Sequence, residues 1–181
     1  MSRWRQAGNY SIYNGSSWTP GNLGTTQSFN GVWGTAPANV YAVGTTGSVY
    51  RYNGTSWSPM SQSATSSTLN GVWGTDSNNV FAVGTSGAII RYQAGLWSGM
   101  TSGTTAALYG VSGASPTTVS AVGDTGKTLS YANAGTGWAY NGSVWYILTT
   151  GITPDLLTVY GTSATNVYVA WALGVTLLGT P

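Results

Sequence analysis

Two arginines stand 40 residues apart in the same setting, Arg51 in "YRYNGTSW" and Arg91 in "IRYQAGLW". Each is followed at once by a tyrosine, Tyr52 or Tyr92, and shortly afterwards by a tryptophan, Trp57 or Trp97. Such a trio could hold a sugar, whose ring stacks on an aromatic face while the guanidinium fork donates to its hydroxyls. The simpler alternative lays each guanidinium over a neighbouring aromatic with its head in water. Arg51, Tyr52, Trp57, Arg91, Tyr92 and Trp97 are therefore the candidate carbohydrate-binding residues. No catalytic residue, metal ligand or cofactor is expected.

The remaining chemistry is sparse. The sequence holds no Glu, His or Cys, so a Ser–His–Asp triad and a thiolate metal site cannot be built. Its acids are Asp76, Asp124 and Asp155. Two would have to converge to act across a glycosidic bond. Each sits in a loop or turn sequence, where capping is the simpler role for an aspartate. No copy shows the dense acidic alternation of a calcium loop.

Composition narrows the partners. Only 4% of the 181 residues are charged, and the net charge of +2 is scattered. No basic stripe exists to displace counterions from a phosphate backbone, so nucleic acid is not an expected partner. No apolar run approaches the roughly 18 residues that span a bilayer. Nine Trp and twelve Tyr stand among many Ser, Thr, Asn and Gly. Such a neutral, hydroxyl-rich surface suggests an extracellular, surface or particle-associated protein. No apolar stretch follows the two N-terminal arginines, so no signal peptide is visible.

The candidate trios belong to a repeat. Trp18, Trp57, Trp97 and Trp145 follow one another at 39, 40 and 48 residues. The "GVWG" element and its counterparts, at Trp33, Trp73, Ser112 and Tyr160, recur at 40, 39 and 48 residues. Within one copy, "LNGVWGT", "VFAVG", "AIIRY" and "LWSGM" read as four short strands, broken by Gly, Asn, Ser and Thr. The Asn-Gly pairs at Asn14, Asn53 and Asn141 suit type I′ hairpins, and three of the four glycosylation sequons coincide with them. "GTGWAY" (Gly135 to Tyr140) reads as an insertion that lengthens the third copy.

Four antiparallel strands every 40 residues or so is the size of a propeller blade, and stacking blades around an axis covers both faces of each. The expected fold is an all-β β-propeller of about four four-stranded blades in one domain, residues 1–181. The repeats run over about 19–58, 59–98 and 99–146, and a closing blade is shared between the N- and C-termini (147–181 plus 1–18). The head "GNYSIYNG" and the tail "GVTLLGT" both align with strand three, so one strand is surplus.

The tandem pattern "GVWG…NVFAVG…YNG..W" resembles the repeats of β-propellers in large secreted and surface proteins of bacteria. These are distantly similar to Asp-box and lectin propellers. The resemblance covers nearly the whole chain and implies fold rather than activity. Where the Asp-box pattern has its acid, this chain has Asn14, Asn53 or Asn141. Two functions are expected in order. The first is a noncatalytic, lectin-like module binding a glycan or cell-surface polymer. The alternative is a self-assembling structural protein of a fibre, coat or surface layer, forming a homo-oligomer by terminal strand pairing.

Overall fold

A computed structural model describes residues 7–124, 137–140, 145–148, 155–163, 166–171 and 174–176. Strands β1 (Asn9–Tyr13) and β2 (Trp18–Asn22) form a two-stranded head hairpin. β3 (Phe29–Ala36), β4 (Asn39–Gly44), β5 (Val49–Tyr52) and β6 (Trp57–Pro59) form a first four-stranded sheet. β7 (Leu69–Asp76), β8 (Asn79–Gly84), β9 (Ile89–Gln93) and β10 (Leu96–Met100) form a second, with the four strands that the repeat predicts. β11 (Leu108–Ser115), β12 (Thr118–Gly123), β13 (Gly137–Tyr140) and β14 (Trp145–Leu148) form a third. β15 (Leu156–Ser163), β16 (Asn166–Trp171) and β17 (Gly174–Thr176) form a three-stranded tail sheet. Every pairing is antiparallel between strands consecutive in sequence.

The first strands of successive sheets lie side by side: β3 on β7, β7 on β11, β11 on β15. Glycines permit the approach. A Cβ on Gly31 would fall 3.0 Å from the Asn70 carbonyl oxygen, one on Gly71 2.8 Å from that of Tyr109, and one on Gly110 3.0 Å from Thr158 Cα. Asparagine amides then tie the strands: Asn30 Nδ2 donates to the Leu69 carbonyl at 2.9 Å and Asn70 Nδ2 to that of Leu108 at 2.8 Å.

Strand alternation gives each sheet two apolar faces. The rear face of the first sheet (Tyr41, Val43, Val49) packs on the front face of the second (Val80, Ala82, Ile90, Tyr92, Trp97). The rear of the second (Phe81, Val83, Ile89) packs on the front of the third (Leu108, Val111, Val119, Ala121). Val122 of the third meets Leu156, Val159 and Val169 of the tail sheet. From the second onward, each sheet is thus covered in front by the sheet before it.

Two expectations are corrected. The Asn-Gly hairpins at Asn14 and Asn53 are four-residue loops, closing on Tyr13–Trp18 and Tyr52–Trp57. Each Asn Oδ1 accepts the N–H groups two and three residues on, so the side chain shapes the turn and only Gly15 and Gly54 take positive φ. The two-residue turn with both residues left-handed occurs instead at Ala94 (φ 52°) and Gly95 (φ 85°). The turn at Asn141 lies outside the described residues.

Gly137–Tyr140 is not an insertion. It is β13, paired through Val119↔Tyr140 as the third strand of its sheet, so the extra length of this copy falls within residues 125–136, outside the described residues. Among the described residues the sheets are not closed into a ring: β1 pairs only with β2, and β17 lies on the edge of β16.

Two stability outcomes follow. Trp97 is 4% exposed and Trp18 68%. In urea titrations Trp97→Ala should lose about 3–5 kcal/mol, the range for a large buried ring. Trp18→Ala in dilute solution should stay within about 1 kcal/mol of wild type. Ala94→Asn should gain about 0.5–1 kcal/mol, seen as a rise in Tm, because asparagine tolerates the left-handed backbone that an alanine Cβ resists.

Candidate functional site

The six candidate residues fall into two groups on opposite faces. Arg51 and Tyr52 are consecutive on β5, as Arg91 and Tyr92 are on β9, so their side chains point to opposite sides of the sheet. Each arginine lies on the rear face over its cross-strand aromatic partner. The Arg51 guanidinium carbon is 5.6 Å from the centre of the Tyr41 ring, and that of Arg91 is 5.0 Å from Phe81. Asparagines hold them there: Arg51 Nε donates to Asn39 Oδ1 at 3.1 Å and Arg91 Nη2 to Asn79 Oδ1 at 3.0 Å.

The tyrosine and tryptophan of each copy form a pair on the front face. Ring centres are 5.2 Å apart in Tyr13–Trp18, 5.4 Å in Tyr52–Trp57 and 5.3 Å in Tyr92–Trp97. The structure therefore does not bring the arginine and the aromatic pair of one copy to a single surface. Instead Arg51 lies on Tyr41, whose ring is 6.2 Å from Tyr92 of the next copy. This agrees with the arginine lying over a neighbouring aromatic. Trp33 and Trp73 lie with their rings over Gly74 and Gly113 of the following sheets.

Cover, not chemistry, distinguishes the three aromatic pairs. Trp97 is buried under the first sheet, Trp57 is half-buried with Tyr10 of the head hairpin edge-on at 5.9 Å, and Trp18 is bare. The first-strand valines repeat the series: Val111 is 8% and Val159 7% exposed, Val72 is half-buried, and Val32 is 68% exposed. The front face of β3–β6 is thus the one four-stranded front among the described residues that lacks a full sheet before it. Between it and β1 lies an apolar groove of about 620 Å³, walled by Tyr10, Ile12, Val32, Val40, Tyr52 and Trp57. Residue types could not have disclosed this groove; the half-blade at the head of the repeat register was its only signal.

A second depression, of about 940 Å³ and wide open, is lined by residues 100–106 together with Asp124 and Asp155. Asp124 is committed within it: Oδ2 accepts the Ala107 N–H at 3.1 Å and Oδ1 the Tyr109 hydroxyl at 2.5 Å. That bond favours the protonated phenol and, with burial and the nearby carboxylates, pushes Tyr109 up to about 12. Asp76 caps its own turn, accepting the Asn78 N–H at 2.7 Å and the Asn79 amide at 2.9 Å. Those bonds hold its carboxyl below the usual range. Among the described residues no three acids gather as metal ligands, and no helix is long and apolar enough to cross a membrane.

The fold is an all-β propeller fold. Among solved structures the chain is similar to YCF48 from Cyanidioschyzon merolae, with a TM-score of 0.66 and 14% identity over 89% of this chain and 56% of that one. It is also similar to YCF48 bound to a D1 peptide, with a TM-score of 0.61 and 17% identity over 87% of this chain and 51% of that one. The chain spans about half the length of these structures. No protein-family model matches it, and no curated protein sequence does.

Without His, Glu or Cys, no side chain has an ordinary pKa between about pH 5 and 9. The urea midpoint should be flat across that window. The raised Tyr109 contributes stability that is complete below its ordinary value of 10.0 and is lost as pH rises toward about 12. Midpoints should fall there, and Tyr109→Phe should fall less.

Proposed function

We propose that the chain is a noncatalytic interaction module whose open front face receives a β-structured polypeptide, and that assembly is its function. The groove under the head hairpin carries this reading. Its apolar walls would accept alternate side chains of an extended segment. β1 offers the matching backbone: the equivalent strands β5 and β9 pair with a second strand on the edge that β1 leaves without a strand partner. An added strand would use that edge as sheets use one another, with backbone bonds for affinity and groove contacts for specificity. The volume is in the range of binding pockets.

The charge-poor surface supports the same reading, since it does not repel a neutral partner. So does the likeness to a protein solved with a peptide bound. On this reading the blade missing before β3–β6 is supplied by strands of the β15–β16 kind, which is the blade shared between chain ends that the repeat register predicts.

A glycan is a second reading, favoured by one observation. Tyr13 and Trp18, 52% and 68% exposed, form an aromatic platform of the kind that stacks on sugars. The immobilised chain should be screened against a glycan array and a random 12-residue peptide library. The expected result is peptide hits with alternating apolar residues, lost in Val32→Arg. Glycan hits alone, lost in Trp18→Ala, would sink the polypeptide reading.

A further inference from the structure

We infer that the occupant of the open front face is the pair β15–β16 of a second copy, with β1 taking the edge of β16 that β17 holds in the single chain, so that two chains join head to tail through two equivalent seams. This rests on the reading of that face as a polypeptide-binding surface and names what binds there.

Each internal seam has the same two halves. The rear half presents an aromatic on the first strand: Trp33 lies with its ring over Gly74, and Trp73 over Gly113. Where β11 has Ser112 instead, its hydroxyl accepts the Gly161 N–H at 3.3 Å. The front half presents that glycine beside the valine two residues earlier. At the two ends of the array both halves stand open. Tyr160 on β15 occupies the Trp33 position and is 63% exposed. The three atoms nearest a Cβ on Gly34 of β3 all belong to its own strand partners, Asn39 and Val40, and its neighbour Val32 is bare.

Within one chain these halves do not meet. A second copy supplies both, and two-fold symmetry forms the seam twice. One feature agrees with such a pair. The near-neutral surface sets up no repulsion between copies.

The first test is native mass of the full chain over a wide concentration range. A species at twice 18.7 kDa is expected. Val32→Arg and Tyr160→Arg should each weaken it at least about tenfold, because each puts a charge into both apolar seams. Both positions face solvent in the single chain, so the circular dichroism of each variant should match wild type. Mixing the two variants should restore pairing, since one seam of the mixed pair then carries both changes and the other carries neither.

The chain has no cysteine, which permits a second readout. A chain carrying Val32→Cys and Tyr160→Cys, treated with a short bis-maleimide, should cross-link between chains. Cross-linking only within one chain would overturn the inference in favour of ring closure. A monomer at every concentration would overturn it whatever the peptide screen returned. So would a dimer indifferent to both arginine variants, or variants that fail to complement. In any of these cases peptide capture lost in Val32→Arg would leave the binding reading standing.

Discussion

A sheet with two apolar faces must be covered on both, and almost everything in this structure follows from that requirement. In a two-layer sandwich one face of each sheet can point to water. Here "VFAVG" places Val80 and Ala82 on one side of β8 and Phe81 and Val83 on the other, and all four are buried. Such a strand is stable only between two neighbours. The chain meets the need by repeating itself, so that the rear of each copy is complementary to the front of the next. Glycines on the first strands let the backbones approach, and the asparagine amides at 30 and 70 fix their register. The faces farther out then close on aromatic rings.

The scarcity of charge belongs to the same economy. A charged side chain between sheets would need a partner and good geometry to offset its desolvation. The two arginines within the repeats occupy rear faces and are held by neutral amides over aromatic rings. Tyr41 shows how the polar ends of buried rings are handled. Its ring is fully buried, and its hydroxyl donates to the Ser77 carbonyl of the next sheet at 2.9 Å. Burial raises its pKa, so it stays protonated and the bond stays intact across the range in which the chain has few other titrating groups. The indole N–H groups of Trp57 and Trp97 have no protein acceptor. The same feature recurs in two copies and so belongs to the repeat.

Much of this was legible from residue types alone. Period, strand order and the four strands of the second sheet follow from where Gly, Asn and Ser interrupt β-branched and aromatic runs. The half-blade at the head is legible as well, since "YSIYNGSSW" can only align with "VYRYNGTSW". What alignment could not settle was the side of the sheet to which each residue belongs in three dimensions. Arg51 and Tyr52 are neighbours in sequence and opposites in space, so a trio that looks like one site divides between two seams. Turn geometry departs from the expectation for a related reason: the side chains of Asn14 and Asn53 bond to the loop, and neither asparagine takes positive φ.

The series of exposed and buried tryptophans carries the functional argument further than any single site. The same Tyr–Trp pair ranges from bare to buried according to how much sheet precedes it. The place where the repeat's own rule goes unmet is the place where the proposed partner would satisfy it. The first-strand series adds a qualification: Gly31, Gly71 and Gly110 are followed by Thr158, which brings a side chain to the rear surface where the earlier copies have none. A seam formed there would be wider than the internal ones. Its cohesion would rest on Tyr160 and the apolar groove rather than on backbone contact, which suits an interface between separate chains better than one more turn of the same repeat.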